Sequence, residues 1–386
     1  MIRVLTFVLL AGVLIIGGFA ILNKQDQSDS NIKIGVIMPL SGDNDVFRSQ
    51  KNALELAVSE INTDPIFNRK IELFFEDGKC DSKFGGIAAK KLVEVHGVKI
   101  IIGGSCSEET LSAAKVTDSE GVVLISPSAS DYKLSEAGDF VFRIYPSEAS
   151  SGLLSAAYAT SDMKLKKAAI ISDDLPDSQS IRDSYKKYLS DFGSQILLDE
   201  TYNQEGDFMD KISKIKSLKP DIVYVISKSD ASSSDIVNKI KNTGLNAYFS
   251  GPTLKAPKTI AKNSGSVFDG IIADQVIPDW NTNVKAKKFL EAYKVKFPSE
   301  SAPDVFALSS YDTLFIVRDA ILANSQSGEI DTLKIRDWLY SLKNWPGGLG
   351  LISININGDA VFPHIIRKVV KSQIIDSAAY LINDAN

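Results

Sequence analysis

Two serine-rich turns carry the residues best placed to do chemistry: "GGSCSEET" at 103–110 and "SPSAS" at 126–130, each directly after a short apolar run. Hydroxyls and backbone N–H groups gathered where a strand ends and a helix begins can hold an anion such as a carboxylate. The first helical turn leaves N–H groups unpaired at the positive end of the dipole. The ordinary alternative is capping: Ser105 with Glu108 three residues on makes a capping box, and Ser107 is equally an N-cap. Two such turns on one rim, with Cys106 in the first and Cys80 closing a third strand end after "FFEDGK", favour a ligand shelf over capping alone. Catalytic motifs find no support. The chain has no Gly-x-Ser-x-Gly elbow, no His-Glu-x-x-His and no Walker-type phosphate loop, and its two histidines, His96 and His364, stand in unrelated contexts. The same histidines lack ligand-like spacing for a metal, and no cofactor is expected.

The elements that must position these turns read as a repeated strand–helix unit. "IKIGVIM" is a buried strand; "QKNALELAVSEIN" then places Leu54, Ala57, Val58 and Ile61 on one helical face. "KIELFFED", "VKIIIGG" and "GVVLISP" are further strands, with helices over "FGGIAAKKLVEV" and "EETLSAAKVTDSE" between them. A second series follows "FVFRIYPSEAS": the helix "SGLLSAAYAT", then strands "KKAAIIS", "SQILLDETYN", "PDIVYVIS" and "AYFSG" separated by amphipathic helices. Such alternation predicts α/β architecture, two doubly wound parallel sheets in two lobes, with ligands bound outside the strand carboxyl ends. From about Gln275 come two long helices, the turn-rich "NWPGGLGLISININGDA" and a last strand pair around "HIIRKVVKS". This third segment has too few strands for a sheet of its own and is expected to complete the earlier lobes.

The chain has 386 residues and a formal net charge of -5 with pI near 5.3, its lysines interleaved with carboxylates. No basic face exists for tracking phosphates, so nucleic acid is not expected as a partner. Val4 to Leu22 is an apolar run broken only by Thr6, with Arg3 before it and "NKQDQSDSN" after it. That run engages a membrane, and its length favours a retained anchor over a cleaved signal. Either way the body lies outside the cytoplasm, where two cysteines most simply form one disulfide, Cys80–Cys106.

The order "IKIGVIMPLSG", "FEDGKCD", "GGSCSEETLSAAKVTDSEGVVLISPSAS" and "FVFRIYPSEAS" resembles type I periplasmic binding proteins, in particular the leucine/isoleucine/valine-binding solute receptors of ABC importers. The likeness runs from about Ile32 to Arg367. It implies two Rossmann-like lobes joined by three hinge crossovers, near Tyr145 to Ser150, Ala273 to Val276 and Phe362 to His364, closing on a small ligand. The implied division is 1–31 signal or anchor and linker, 32–147 plus 276–362 one lobe, and 148–275 plus 363–386 the other. Carried over by position, Ser107 holds the ligand carboxylate, Ser128 offers a carbonyl to its ammonium and Ser130 touches both groups. Phe47 and Phe306 are the implied aromatic covers, although each is apolar enough to be ordinary core.

The second lobe departs from the family pattern. Asp177 and Ser178 stand where a tyrosine and glycine are expected, Lys228 replaces a tyrosine, and Thr253 replaces the acidic partner of the ammonium. Asp177 can restore the lost negative charge and keep a zwitterion. Alternatively Lys228 re-aims the cleft toward a ligand with more negative charge or no ammonium. The plain reading of both charges is a solvated loop. The expected function is therefore a non-enzymatic receptor for an amino acid or small carboxylate, partnered by an ABC permease and tethered at 4–22. A ligand-sensing ectodomain that signals through a partner protein is the second reading. A free-thiol count on denatured, unreduced protein tests the cysteine pairing: no free thiol is expected, and two would contradict it.

Overall fold

The computed structural model describes residues 31–42, 44–67, 69–203, 205–227, 230–251, 270–275, 278–324, 329–361, 364–370 and 373–380. The proposed membrane segment, Lys228 and Thr253 lie outside these residues. Among them, no helix is long and apolar enough to cross a membrane.

Short, largely apolar runs form the first sheet: β1 (Ile32–Met38), β2 (Ile71–Asp77), β3 (Ile100–Gly103), β4 (Val123–Ser126) and β5 (Val141–Arg143). All neighbours are parallel, in the order β2-β1-β3-β4-β5. Strands buried on both faces need continuous apolar sequence, and β3 and β4 are buried at every position. The connecting helices are α1 (Asp45–Ile61), α2 (Ser82–Glu94) and α3 (Ser107–Ser119). Asn44 and Asp81 cap the first two through side-chain oxygens that accept N–H bonds from Val46 and from Lys83 and Phe84.

The second sheet repeats the plan with β6 (Lys167–Asp173), β7 (Gln195–Tyr202), β8 (Ile222–Ile226), β9 (Tyr248–Ser250) and β10 (Ile271–Gln275). Its order, β7-β6-β8-β9-β10, matches that of the first sheet strand for strand, before β14 (His364–Val370) and β15 (Gln373–Tyr380) extend it antiparallel. The helices are α4 (Glu148–Ala157), α5 (Pro176–Asp191), α6 (Glu205–Leu218) and α7 (Asp230–Asn242). On one face of this sheet Phe208, Ile212 and Ile215 of α6 pack with Ile236, Val237 and Ile240 of α7; Leu154, Ile181, Tyr185 and Leu189 cover the other.

The chain passes between the sheets three times: after β5, after β10, and between β13 (Ala360–Val361) and β14. The segment between the last two crossings forms α8 (Val284–Lys296), α9 (Val305–Asn324) and α10 (Thr332–Tyr340), whose apolar faces join α1 in the first-lobe core. One expectation is corrected here. The "NWPGGLGLISININGDA" stretch does form a sheet of its own, antiparallel β11 (Trp345–Pro346), β12 (Leu351–Ile354) and β13. Tight turns let very short strands pair, so a low strand count did not forbid it.

That small sheet is tied to α9 by Asp312, 1% exposed, whose two carboxylate oxygens accept N–H bonds from Gly348 and Leu349, each 3.1 Å. Burial raises its pKa to about 6 against the two N–H bonds and the Lys285 charge. A folded pKa above the unfolded value near 3.9 means the unfolded chain ionises first. The group's stabilising contribution is whole below about pH 4 and is lost as pH rises to about 6. Denaturant unfolding of Asp312→Asn is therefore expected to show a flatter stability profile across that window than the natural chain. Parallel profiles would contradict it.

Candidate functional site

The turn after β3 carries an anion of its own. Glu109, fully buried on α3, accepts N–H bonds from Ser105 (2.6 Å) and Cys106 (3.1 Å) at Oε1, and from Cys80 (3.0 Å) at Oε2. Burial raises its pKa, with the three N–H bonds opposing and the Asp77 charge adding to the rise. Two glycines make room for it: a Cβ at Gly78 would lie 2.2 Å from Glu109 Oε2, and one at Gly104 2.3 Å from its Cγ. The disulfide Cys80–Cys106, Cα atoms 5.1 Å apart, closes the same corner.

Two expectations are corrected by this arrangement. The helix begins at Ser107 with Cys106 at the N-cap, and the acid that reaches back is Glu109, not Glu108. Glu108 is exposed while Glu109, one residue further round the helix, faces inward. The N–H groups of Ser105 and Cys106, expected to be open to a ligand, are already spent on that carboxylate.

What the turn presents instead is Ser107, the first helical residue and half-buried. Its Oγ accepts N–H bonds from Ser130 (3.3 Å) and Asp131 (3.2 Å), joining the two serine turns. A hydroxyl whose lone pairs are both used keeps its own O–H to donate. A hydroxyl donor at a helix N-terminus, beside the remaining first-turn N–H groups, suits a carboxylate.

Ser128 turns its hydroxyl inward, 2.9 Å from the Ser105 carbonyl and 3.2 Å from Gln50 Oε1, and Ser105 Oγ donates to the same Gln50 oxygen at 3.0 Å. Gln50, 1% exposed, thus clamps both turns from α1. Ser126 Oγ donates to the Gly104 carbonyl (2.7 Å) and accepts from Ala129 N (3.0 Å), and Ser309 Oγ of α9 donates to the Pro127 carbonyl at 2.6 Å. Behind them the buried Arg143 donates to the Asp131 carbonyl (2.6 Å), to Asp359 (2.6 Å) and to Ser135 Oγ (2.7 Å).

The two phenylalanine candidates of the first lobe lie on the helices that brace the serine turns. Phe47 lies one helical turn before Gln50 on α1. Phe306 lies one turn before Ser309 on α9, its ring 5.0 Å from that of Tyr145 at the first crossover. Both phenylalanines are half-buried. In the second lobe Asp177 is the second residue of α5, placed at the carboxyl end of β6; Lys228 and Thr253 fall outside the described residues.

Sequence reading missed Gln50, Glu109, Arg143 and Ser309. Gln50 had a usable signal: it continues the Ala53, Leu54, Ala57 and Ile61 stripe, and a polar residue on an apolar stripe needs a buried partner. Arg143 had none, because Asp359 joins it from 216 residues away.

A family model described as periplasmic binding protein matches residues 31–371. The leucine-, isoleucine-, valine-, threonine- and alanine-binding protein of Pseudomonas aeruginosa is 26% identical over 84% of this chain and 85% of its own length. Leu/Ile/Val-binding protein homolog 1 of Brucella abortus is 26% identical over 92% of each. Among solved structures, a leucine binding protein from Thermotoga maritima covers 90% of this chain and 98% of its own, with TM-score 0.73 and 24% identity. A solute binding protein of an ABC transporter from Rhodopseudomonas palustris, in complex with 3,4-dihydroxybenzoic acid, covers 91% and 97%, with TM-score 0.71 and 21% identity. These two likenesses concern the fold. The two matched sheets, the three crossings and a family match over most of the length lead to one conclusion: the chain belongs to the periplasmic binding proteins, a family of non-enzymatic substrate-binding proteins.

Proposed function

We propose that this protein is the extracytoplasmic solute receptor of an ABC importer, binding a small amino acid or related carboxylate between its lobes and closing about the crossovers. One observation carries the reading: Ser107, at the start of α3, accepts both its hydrogen bonds from the "SPSAS" turn and keeps its O–H for an anion. Relatives named for aliphatic amino acids and a neighbour holding a dihydroxybenzoate point to ligands with one shared feature, a carboxylate on a largely apolar body. Ser107 and Ser130 take the carboxylate, the Ser128 carbonyl takes an ammonium when one is present, and Phe47 and Phe306 cover the apolar body. The first lobe is 32–147 with 276–362, and the second is 148–275 with 363–386. From the second lobe, Asp177 favours a zwitterion, whereas Lys228 and Thr253 favour a carboxylate without an ammonium. Residues 4–22 anchor the receptor beside its permease, and the tether raises its effective concentration there.

A thermal-shift panel of aliphatic amino acids, benzoates and neutral amides tests the reading on the full chain. A true ligand at a hundred times its dissociation constant stabilises by about 2.7 kcal/mol. Shifts with amino acids assign the ammonium to Asp177, and shifts with benzoates alone assign the cleft to Lys228 and Thr253. Silence toward every carboxylate contradicts the receptor reading and leaves the sensing ectodomain. A hydrogen bond to a charged group contributes about 1.5 to 3 kcal/mol, so Ser107→Ala is expected to weaken the ligand found roughly tenfold or more. Unchanged affinity would remove Ser107 from the site.

A further inference from the structure

The strand-for-strand match of the two sheets gives each corner of one lobe a counterpart in the other. In the first lobe the corner between the carboxyl ends of β1 and β2 and the helices α2 and α3 is filled. The Cys80–Cys106 bridge and the carboxylate of Glu109, third residue of α3, occupy it. The counterpart in the second lobe lies between the ends of β6 and β7 and the helices α6 and α7. No cysteine is present there, and the third residue of α7 is the small Ser232. The corner is a cavity of about 490 Å³, within the usual range for small-molecule pockets.

Its walls have a definite character. Asp173 and Asp174 stand at the end of β6, Tyr202 at the end of β7, Phe208 on α6, and Asp235 with Lys239 on α7. Among the described residues that line it, three carboxylates stand beside one ammonium, Lys239, which pairs with Asp235 at 2.8 Å. Lys239 also lies 5.5 Å from the centroid of the Phe208 ring, so the cavity already hosts a cation against an aromatic face. Tyr202 and Phe208 meet edge to face with centroids 5.3 Å apart. Burial, followed by the charges of Asp173 and Asp174, pushes the Tyr202 phenol up to about 12, in keeping with anionic surroundings. Carboxylates beside aromatic rings select an organic ammonium over neutral or anionic ligands.

We propose that the second-lobe cavity between α6 and α7 is a binding site for a small alkylamine or diamine, separate from the serine shelf and standing whether or not the shelf binds a carboxylate. Calorimetric titration of the full chain with 1,4-diaminobutane, and with 1,4-butanediol as the neutral match, tests it. Saturable binding of the diamine at least tenfold tighter than the diol is expected. Ser232→Lys, which sets an ammonium of the chain's own in the cavity, is expected to abolish it. Asp174→Asn, at an exposed position that disturbs no packing, is expected to weaken it about three- to tenfold. No diamine binding, equal binding of the diol, or natural affinity in the folded Ser232→Lys protein would overturn the proposal.

Discussion

Three backbone N–H groups at the edge of the first sheet, those of Cys80, Ser105 and Cys106, share one acceptor, the buried carboxylate of Glu109. Left unpaired, such groups would each cost about 1 to 3 kcal/mol, and a lone buried carboxylate would cost more. Together they satisfy one another, and the corner becomes rigid. The two glycines that admit the carboxylate and the disulfide that ties its neighbours follow from the same need. The rest of the shelf is built outward from it, because Glu109 fixes where Ser107 begins its helix.

The remaining polar groups hold the second turn against the first. Gln50 takes both serine hydroxyls, Ser309 holds the Pro127 carbonyl, and Arg143 holds the Asp131 carbonyl while Asp359 neutralises it. Breaking a buried pair such as Arg143–Asp359 costs roughly 3 to 5 kcal/mol, so these contacts are firm supports. They come from α1, β5, α9 and the turn before β13, elements far apart in sequence. On the proposed receptor reading, such a preorganised half-site is what closure by whole lobes would need, since ordering it on binding would consume affinity.

The alternation of strands and helices was legible because the strands are short, largely apolar runs and most of the helices between them are amphipathic. Cys80 and Cys106 were legible as a pair through their number and setting alone. The choice of Glu109 over Glu108 was not, since only the helix phase tells which of two adjacent acids points inward. Gln50 was half-legible, as a polar interruption of an apolar stripe. Arg143 and Asp359 meet only once the chain has left the first lobe, traversed the second and returned, and local pattern holds no record of that. The small β11–β13 sheet escaped notice because strands of two to four residues carry too little periodicity to separate from turns.

The central claim is that the shelf's innermost N–H groups belong to Glu109 and that a ligand is met by Ser107. Amide hydrogen exchange at Ser105 and Cys106, followed in the full chain with and without any carboxylate that the thermal-shift panel finds to bind, tests this most directly. The account predicts slow exchange at both amides in the free protein and little change on binding. Fast exchange in the free protein that slows only when ligand is added would mean the ligand, not Glu109, occupies those groups, and would contradict it.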